Sequence, residues 1–428
     1  MVRTVGLDLH KEVAEWCFVD EQGKVLGRER VEVSPESLEA FAKKHLRKTD
    51  RVALESTTNT WAVVRLLKPH VAEVKVSNPY KARVIAEANV KTDKVDAEVL
   101  AQLLRMNWLP LVWEPDEKTS EMRALSARRV QLVRDRTRVR NRIRSILAQR
   151  LIKPDVEPLF GKKGIESLKR LSMDAPGKTT LESELRLHDL IEQEVGATTR
   201  QMAQDGWGDA RVKLLMTLPG VDLIVAEGLV AAIGDIKRFS SADRLASYLG
   251  LCPRTKQSAN TCHHGPITKA GNTMARWLLV EAAHHLHANP GPLGFFFRKI
   301  ARKKGANVAA TAGARKLATI VWHMLTNNQP YRYALPKTTE TKLRALRIRG
   351  GGGKRPRGLR RGATPRRKSG SGEQTRREKP LREIYELESL PPIPPAKEAE
   401  LRQMAKKGLL GFMKAVVNGK VNAPSQRK

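Results

Sequence analysis

The sequence predicts a mixed α/β unit, then a mainly helical region, then a basic low-complexity tail. Three observations predict this order. Short β-like runs alternate with helical patterns over residues 2–110, and helical periodicity dominates from residue 117 onward. Residues 336–380 are rich in Gly, Arg and Lys, with little to bury. At 428 residues the chain is also too long for one ordinary domain.

Val2–Leu9, Glu15–Val19 and Lys24–Val33 suit three short strands, the last two joined by an Asp20-Glu21-Gln22-Gly23 turn. Ser34 caps a helix whose first position is Pro35. Arg51–Glu55 then reads as a strand, Trp61–Leu67 as a helix and Val71–Ser77 as a strand. Helices follow near Tyr80–Ala88 and Val95–Leu104. Three meandering strands followed by strand–helix alternation is the order of an RNase H-like (RuvC-like) fold, assigned to residues 1–115. Residues 116–205 form a basic helical linker region. In it Leu125, Leu132, Val139 and Ile146 recur every seven residues, as along one edge of a coiled-coil arm. Arg134, Arg136, Arg138, Arg140, Arg142 and Arg144 should leave much of that arm basic. A second globular unit spans 206–335. Residues 336–380, with Gly350–Gly353 and clusters such as Arg366-Arg367-Lys368, should be disordered. A short extension, 381–428, closes the chain with an amphipathic stretch around Ala396–Val417.

Charge narrows the function. There are 79 Lys+Arg against 45 Asp+Glu, a net charge of +34. Self-repulsion on that scale implies a polyanionic partner, and nucleic acid is the expected one. Cys17, Cys252 and Cys262 make no paired framework, which suits a reducing cytosol. The start lacks a signal-peptide layout, and no apolar run approaches the roughly 20 residues that span a bilayer. A cytoplasmic, nucleoid-associated protein without membrane contact is expected.

Four carboxylates form the first constellation. Asp8 and Glu55 end predicted strands, and Asp93 and Asp96 sit where a loop enters a helix. Carboxylates at adjacent strand ends converge on one side of a sheet, and an i, i+3 pair shares a helix face. Such a group repels itself unless a hard cation, Mg²⁺ or Mn²⁺, neutralises it. Taken singly, Asp93 also suits a helix cap, and Asp96 an ion pair with Lys91 or Lys94. Gly6-Leu7-Asp8, Glu55, Asn78-Pro79 and Lys91-Thr92-Asp93-x-x-Asp96-Ala97 resemble the DEDD-type transposases of bacterial insertion sequences, relatives of the Piv-type DNA invertases. Ser56-Thr57-Thr58 departs from the Thr-Gly pair usual after the family's glutamate.

A second block extends the resemblance over most of residues 1–335. Leu218-Pro219-Gly220-Val221 before an Ala/Gly-rich helix reads as a helix-hairpin-helix, whose turn at Gly220 can hold a phosphate. Pro-Gly turns are also common between any two helices. Leu249-Gly250-Leu251-Cys252-Pro253-Arg254, then Gly265-Pro266-Ile267-Thr268-Lys269-Ala270-Gly271, then Ala314-Arg315-Lys316-Leu317 keep the family's order. The family's nucleophilic serine lies between the first two strings, and Ser258 is the serine there, in a loop with Ala259-Asn260 where Gly-Gly is usual. Arg254, Lys256, Lys269, Arg276, Arg315 and Lys316 are candidate phosphate contacts. Cys262-His263-His264 and His284-His285-x-His287 lack two ligand pairs at zinc spacing.

The resemblance implies an RNA-guided serine recombinase. Asp8, Glu55, Asp93 and Asp96 would be its metal-binding tetrad, and Ser258 would attack a DNA phosphate to give a phosphoserine link. Two domains would meet in one composite site. Partners would be DNA, a structured guide RNA and further copies of the chain, as dimer or tetramer. Two alternatives stay open: a RuvC-like junction nuclease using water as nucleophile, and a non-catalytic nucleic-acid-binding protein.

Overall fold

The structure, a computed structural model, describes residues 2–85, 93–258, 261–351, 353 and 379–393, with seven single positions between 402 and 412. The chain divides into two compact units, Met1–Asp116 and Glu117–Lys428. No helix among the described residues is long and apolar enough to cross a membrane.

The first unit is built on strands β1 (Thr4–Leu9), β2 (Val13–Val19), β3 (Val25–Glu32), β4 (Arg51–Glu55) and β5 (Glu73–Ser77). Helices α1 (Pro35–His45), α2 (Thr60–Leu67), α3 (Pro79–Ile85) and α4 (Asp93–Arg105) accompany them. The sheet order is β3-β2-β1-β4-β5. β1 to β3 form an antiparallel meander, whereas β1, β4 and β5 are parallel. Parallel strands end at one edge, so Asp8, Glu55 and Ser77 lie together there. Odd residues of β1 (Val5, Leu7, Leu9) join Phe41 and Val63 in one core. Even residues face α4, because side chains alternate along a strand. On that second face Ala53 packs with Leu100, Leu103 and Leu104.

The second unit begins with a two-helix arm, as expected, made of α5 (Glu117–Ala148) and α7 (Ala175–Trp207), with α6 (Lys162–Arg170) between them in sequence. Val139, Ile143 and Ile146 of α5 pack with Leu181 and Leu185 of α7 and with Leu168 of α6. The arginine face of α5 is less free than its composition suggests. Arg136 and Arg140 both reach Glu192, Arg142 forks onto Glu184, and Arg138 pairs with Asp135. Much of the arm's charge therefore binds the two helices antiparallel to each other.

The remaining helices are α8 (Ala210–Leu215), α9 (Leu223–Ile233), α10 (Ala242–Tyr248), α11 (Thr273–His284), α12 (Pro292–Lys304) and α13 (Ala306–Asn327). A two-stranded ribbon, β6 (Pro253–Ser258) and β7 (Thr261–Ile267), lies among them. α9 is buried along almost its whole length and is the central helix of this core. Its last carbonyls receive arginines: Arg123 Nε donates to Ala231 O and Arg238 Nε to Ile233 O.

The segment expected to be disordered from Pro336 starts with a helix instead, α14 (Pro336–Gly350). Thr339, Leu343 and Leu346 recur at i, i+4 and i+7 and are buried, a stripe concealed by surrounding Lys and Arg. Gly350 and Gly351, read from sequence as low complexity, lie against Ala203 and Trp207 of α7. A last helix, α15 (Leu381–Leu387), buries Leu381, Ile384 and Tyr385. Most of 354–378 and of the Ala396–Val417 stretch lies outside the described residues, as do Ala86–Ala88 of the expected third helix.

One core residue is a carboxylic acid. Glu227 of α9 is fully buried, and neither carboxylate oxygen has a hydrogen-bond partner among the described residues. Burial foremost, then the Asp205 and Asp209 charges, pushes its pKa up to about 8 against the pull of Arg129. A raised folded-state pKa contributes stability that is complete below the unfolded value, 4.5, and is lost as pH rises to about 8. Thermal melts should therefore show wild type losing roughly 2–3 kcal/mol between pH 6 and pH 9, and Glu227→Gln losing much less. Equal losses in both proteins would mean that Glu227 does not titrate there.

Candidate functional site

The site edge of the first unit depends on a missing side chain. A Cβ placed on Gly6 would sit 1.8 Å from the carbonyl oxygen of Ala97. Glycine at that position lets α4 lie directly on β1, with Ala97 and Ala101 fully buried in the contact. The first turn of α4, carrying Asp93 and Asp96, is thereby delivered to the end of β1, where Asp8 projects on the same face as Gly6.

Asp8 is mostly buried, with 15% of its side chain exposed. His10 Nε2 lies 3.0 Å from Asp8 Oδ2 and 3.4 Å from Asp93 Oδ1. One ligand atom from each of Asp8, His10 and Asp93 falls within 4.8 Å of the others. Asp96 stands outside that tightest group but close enough for its charge to act on Asp8. Glu55 follows Leu54, which pairs with Leu7 of β1, so Glu55 is the strand neighbour of Asp8. It also shares the α4 face, being two residues beyond Ala53. Asp8, Asp93 and Asp96 thus meet near the end of β1, with Glu55 beside Asp8 in the sheet, and Asp8, His10 and Asp93 are the tightest group.

The electrostatics favour neutralisation of the clustered carboxylates. Burial lifts the Asp8 carboxyl above its ordinary value, more than His10 lowers it, and the Asp96 and Asp93 charges add to the lift. For His10 burial works the other way, yet the Asp8 and Asp93 charges and hydrogen bonds raise it above its usual range. Carboxylates at this spacing with one imidazole make an oxygen-rich donor set for a hard divalent ion, so Asp8, Asp93, Asp96 and Glu55 fit the expected Mg²⁺ or Mn²⁺. His10 is the residue that sequence reading missed. Its signal was the i, i+2 spacing from Asp8, at the point where β1 ends.

The loop after Glu55 accounts for its unusual Ser56-Thr57-Thr58 string. Thr60 Oγ1 donates to the Glu55 carbonyl and accepts from the Thr57 N–H, at 3.0 and 2.6 Å. Asn59 Nδ2 donates to the His10 carbonyl at 3.5 Å. The hydroxyls and amide stitch the β4 end to the β1 end without a glycine turn.

In the second unit Ser258 is the last residue of β6, exposed at the far end of the ribbon, opposite Thr261. Ala259 and Asn260 lie outside the described residues. The ribbon's root is tightly built. Gly250 and Gly271 both have positive φ, and a Cβ on them would meet Ala270 O at 2.3 Å and Tyr248 O at 2.0 Å respectively. The two glycine-bearing strings noted in the sequence thus pack on each other. Arg254 and Lys256 are exposed on β6, and Lys269 and Lys316 are exposed as well. Arg276 is half-buried and donates to Leu249 O at 3.1 Å, while Arg315 faces Asp243 at 3.4 Å. Gly220 is in the left-handed region with Ala282 O only 2.2 Å from where a Cβ would be. Its turn is occupied by α11, and Lys342 Nζ donates to Leu218 O and Val221 O from the other side.

A Cβ at Gly6 must push α4 off β1. Gly6→Val should destabilise the unit by at least about 1–3 kcal/mol and weaken divalent-ion binding. Calorimetric titration with Mn²⁺ alongside thermal melts would check both, and unchanged ion affinity would detach the cluster from the Gly6 contact.

Comparisons with known proteins agree in two blocks. Residues 5–152 match the family model for DEDD transposases of the IS110 type, and residues 212–292 match that of the IS116/IS110/IS902 transposase family. The chain is 26% identical over 353 residues to a transposase for insertion sequence element IS1111A of Coxiella burnetii, covering 77% of this chain and 92% of that protein. It is 27% identical over 354 residues to a probable family 20 transposase of Pseudomonas aeruginosa, covering 77% and 98%. To a transposase for IS1328 of Yersinia enterocolitica it is 28% identical over 291 residues, covering 64% and 83%.

Proposed function

From the premise that this chain belongs to the IS116/IS110/IS902 family of insertion-sequence transposases, we propose that it cuts and rejoins DNA through a covalent serine intermediate. The observation that carries the reading is the approach of Asp8, His10 and Asp93 at the end of parallel strands, in a sheet whose 3-2-1-4-5 order is that of RNase H-like domains. A bound Mg²⁺ or Mn²⁺ would supply charge neutralisation for a phosphodiester whose bond order is changing.

The protein's own residues do the rest. Asp8, Glu55, Asp93 and Asp96 would hold the cation, whose charge would offset that of the phosphate. Ser258 Oγ forms a bond to phosphorus as the bridging P–O bond breaks, and its proton ends on the departing strand hydroxyl. A second strand end reverses the step, which frees Ser258 and needs no nucleotide triphosphate. Exposure of Ser258 at a ribbon tip suits a nucleophile that must reach a bulky substrate. Arg254, Lys256, Lys269 and Lys316 are exposed cations for phosphate contact, and the basic arm suits a structured guide RNA. Further copies of the chain in the working assembly, in the cytoplasm at the nucleoid, complete the proposal.

Two experiments test it. Incubation of the full chain with guide RNA, Mg²⁺ and labelled DNA, then denaturation, should reveal protein-linked DNA that Ser258→Ala abolishes. Asp8→Asn should abolish cleavage, by at least about 100-fold, yet bind DNA nearly as well. Cleavage by both wild type and Ser258→Ala without any adduct would hand the activity to a water-using nuclease. Separately, Lys256→Ala should reduce DNA affinity and flatten its salt dependence by about one counterion while leaving melting unchanged. Arg276→Ala should lower the melting temperature instead, since its guanidinium holds the Leu249 carbonyl. Loss of DNA affinity without any loss of stability in Arg276→Ala would restore it to the interface.

A further inference from the structure

His10 lies outside the four carboxylates to which the metal centre has so far been assigned. Building on the reading of the acidic cluster as that centre, we propose that His10 is itself a ligand, through Nε2, and that it biases the centre toward Mn²⁺ over Mg²⁺.

Geometry carries the assignment. Ligand atoms at right angles around an octahedral cation with bonds near 2.1 Å lie about 3 Å apart. The His10 Nε2 to Asp8 Oδ2 and Asp93 Oδ1 distances, 3.0 and 3.4 Å, have that spacing. The ring is brought there by three separate constraints. It stands two positions after Asp8, just past the end of β1 at Leu9. Its backbone N–H donates to Val13 O at 3.0 Å. Its carbonyl accepts from Asn59 on the loop behind Glu55. With half of the side chain exposed, burial in a core does not explain the orientation.

Chemistry then sets the preference. Mg²⁺ favours oxygen ligands and keeps several waters, whereas imidazole is a better donor to a transition ion. Replacing one water by Nε2 therefore strengthens Mn²⁺ more than Mg²⁺. A histidine that only oriented Asp8 from outside would strengthen both ions alike and would put no nitrogen on the metal.

The test uses the full chain, stripped of metal and titrated with Mn²⁺ alone and Mg²⁺ alone. Pulsed electron paramagnetic resonance of the Mn²⁺ form should show modulation from a directly bound imidazole nitrogen in wild type. His10→Ala should lose that signal and weaken Mn²⁺ binding by roughly tenfold, with Mg²⁺ changed much less. The wild-type spectrum needs no variant, so a misfolded substitution cannot decide the matter, and melting curves would expose one. No nitrogen signal in wild type, or equal loss for the two ions, overturns the proposal. Asp8→Asn distinguishes the two layers. If it weakens Mn²⁺ while His10→Ala does not, the carboxylate centre stands and His10 is no ligand. If Asp8→Asn changes nothing either, the reading of the cluster as a metal centre falls first.

Discussion

The contact of Gly6 with the backbone of Ala97 is the constraint on which the acidic edge depends. Helices usually pack on sheets through side chains, at about 10 Å. Here a glycine on the strand and alanines on the helix remove the spacers, so backbone meets backbone. Only that approach brings the first turn of a helix to the tip of a strand. Asp93 then comes close enough to share one imidazole with Asp8. The cost is electrostatic: a half-buried carboxyl among others is driven toward its protonated form. A cation reverses that penalty, so the packing and the proposed chemistry are two consequences of one contact.

The net charge of +34 has two destinations. Some cations are structural. Arg123, Arg238 and Arg276 close helix ends by donating to carbonyls, and Lys342 donates to carbonyls of the turn between α8 and α9, where desolvation lowers its pKa to about 8. Others zip the arm to acids on its partner helix. Guanidinium groups suit this work because their planar forks satisfy two acceptors at once. Arg254, Lys256 and Lys269 are exposed around the ribbon, and under the proposed function they would meet phosphate. A residue count therefore overstates the surface offered to nucleic acid, although it points to the right class of partner.

What could be read from the sequence followed local rules. The strands carrying Asp8 and Glu55, and the i, i+3 pair on α4, are set by alternation and helix periodicity. His10 was only half legible: its spacing from Asp8 could be read, but its meeting with Asp93 depends on where a helix more than eighty residues later lands. α14 was hidden by composition: three residues of its buried stripe, Thr339, Leu343 and Leu346, sit among lysines and arginines that point outward. The packing of Gly220 was hidden for a related reason: a Pro-Gly turn before a helix looks the same in sequence whether or not the backbone of another helix lies against it.

The ribbon bearing Ser258 repeats the glycine device for a different end. Two-stranded ribbons are marginal alone, so this one needs an anchor. Gly250 and Gly271 provide it by letting the chain fold back on itself at the root. At the far end Ser258 pairs with Thr261, and Arg254–Ser258 of β6 are exposed. A serine hydroxyl is a weak nucleophile unless it is held and assisted. Under the proposed chemistry the ribbon would therefore acquire its working geometry from the nucleic acid its own cations engage. Cleavage would then be tied to substrate binding, a useful restraint on an enzyme that breaks DNA.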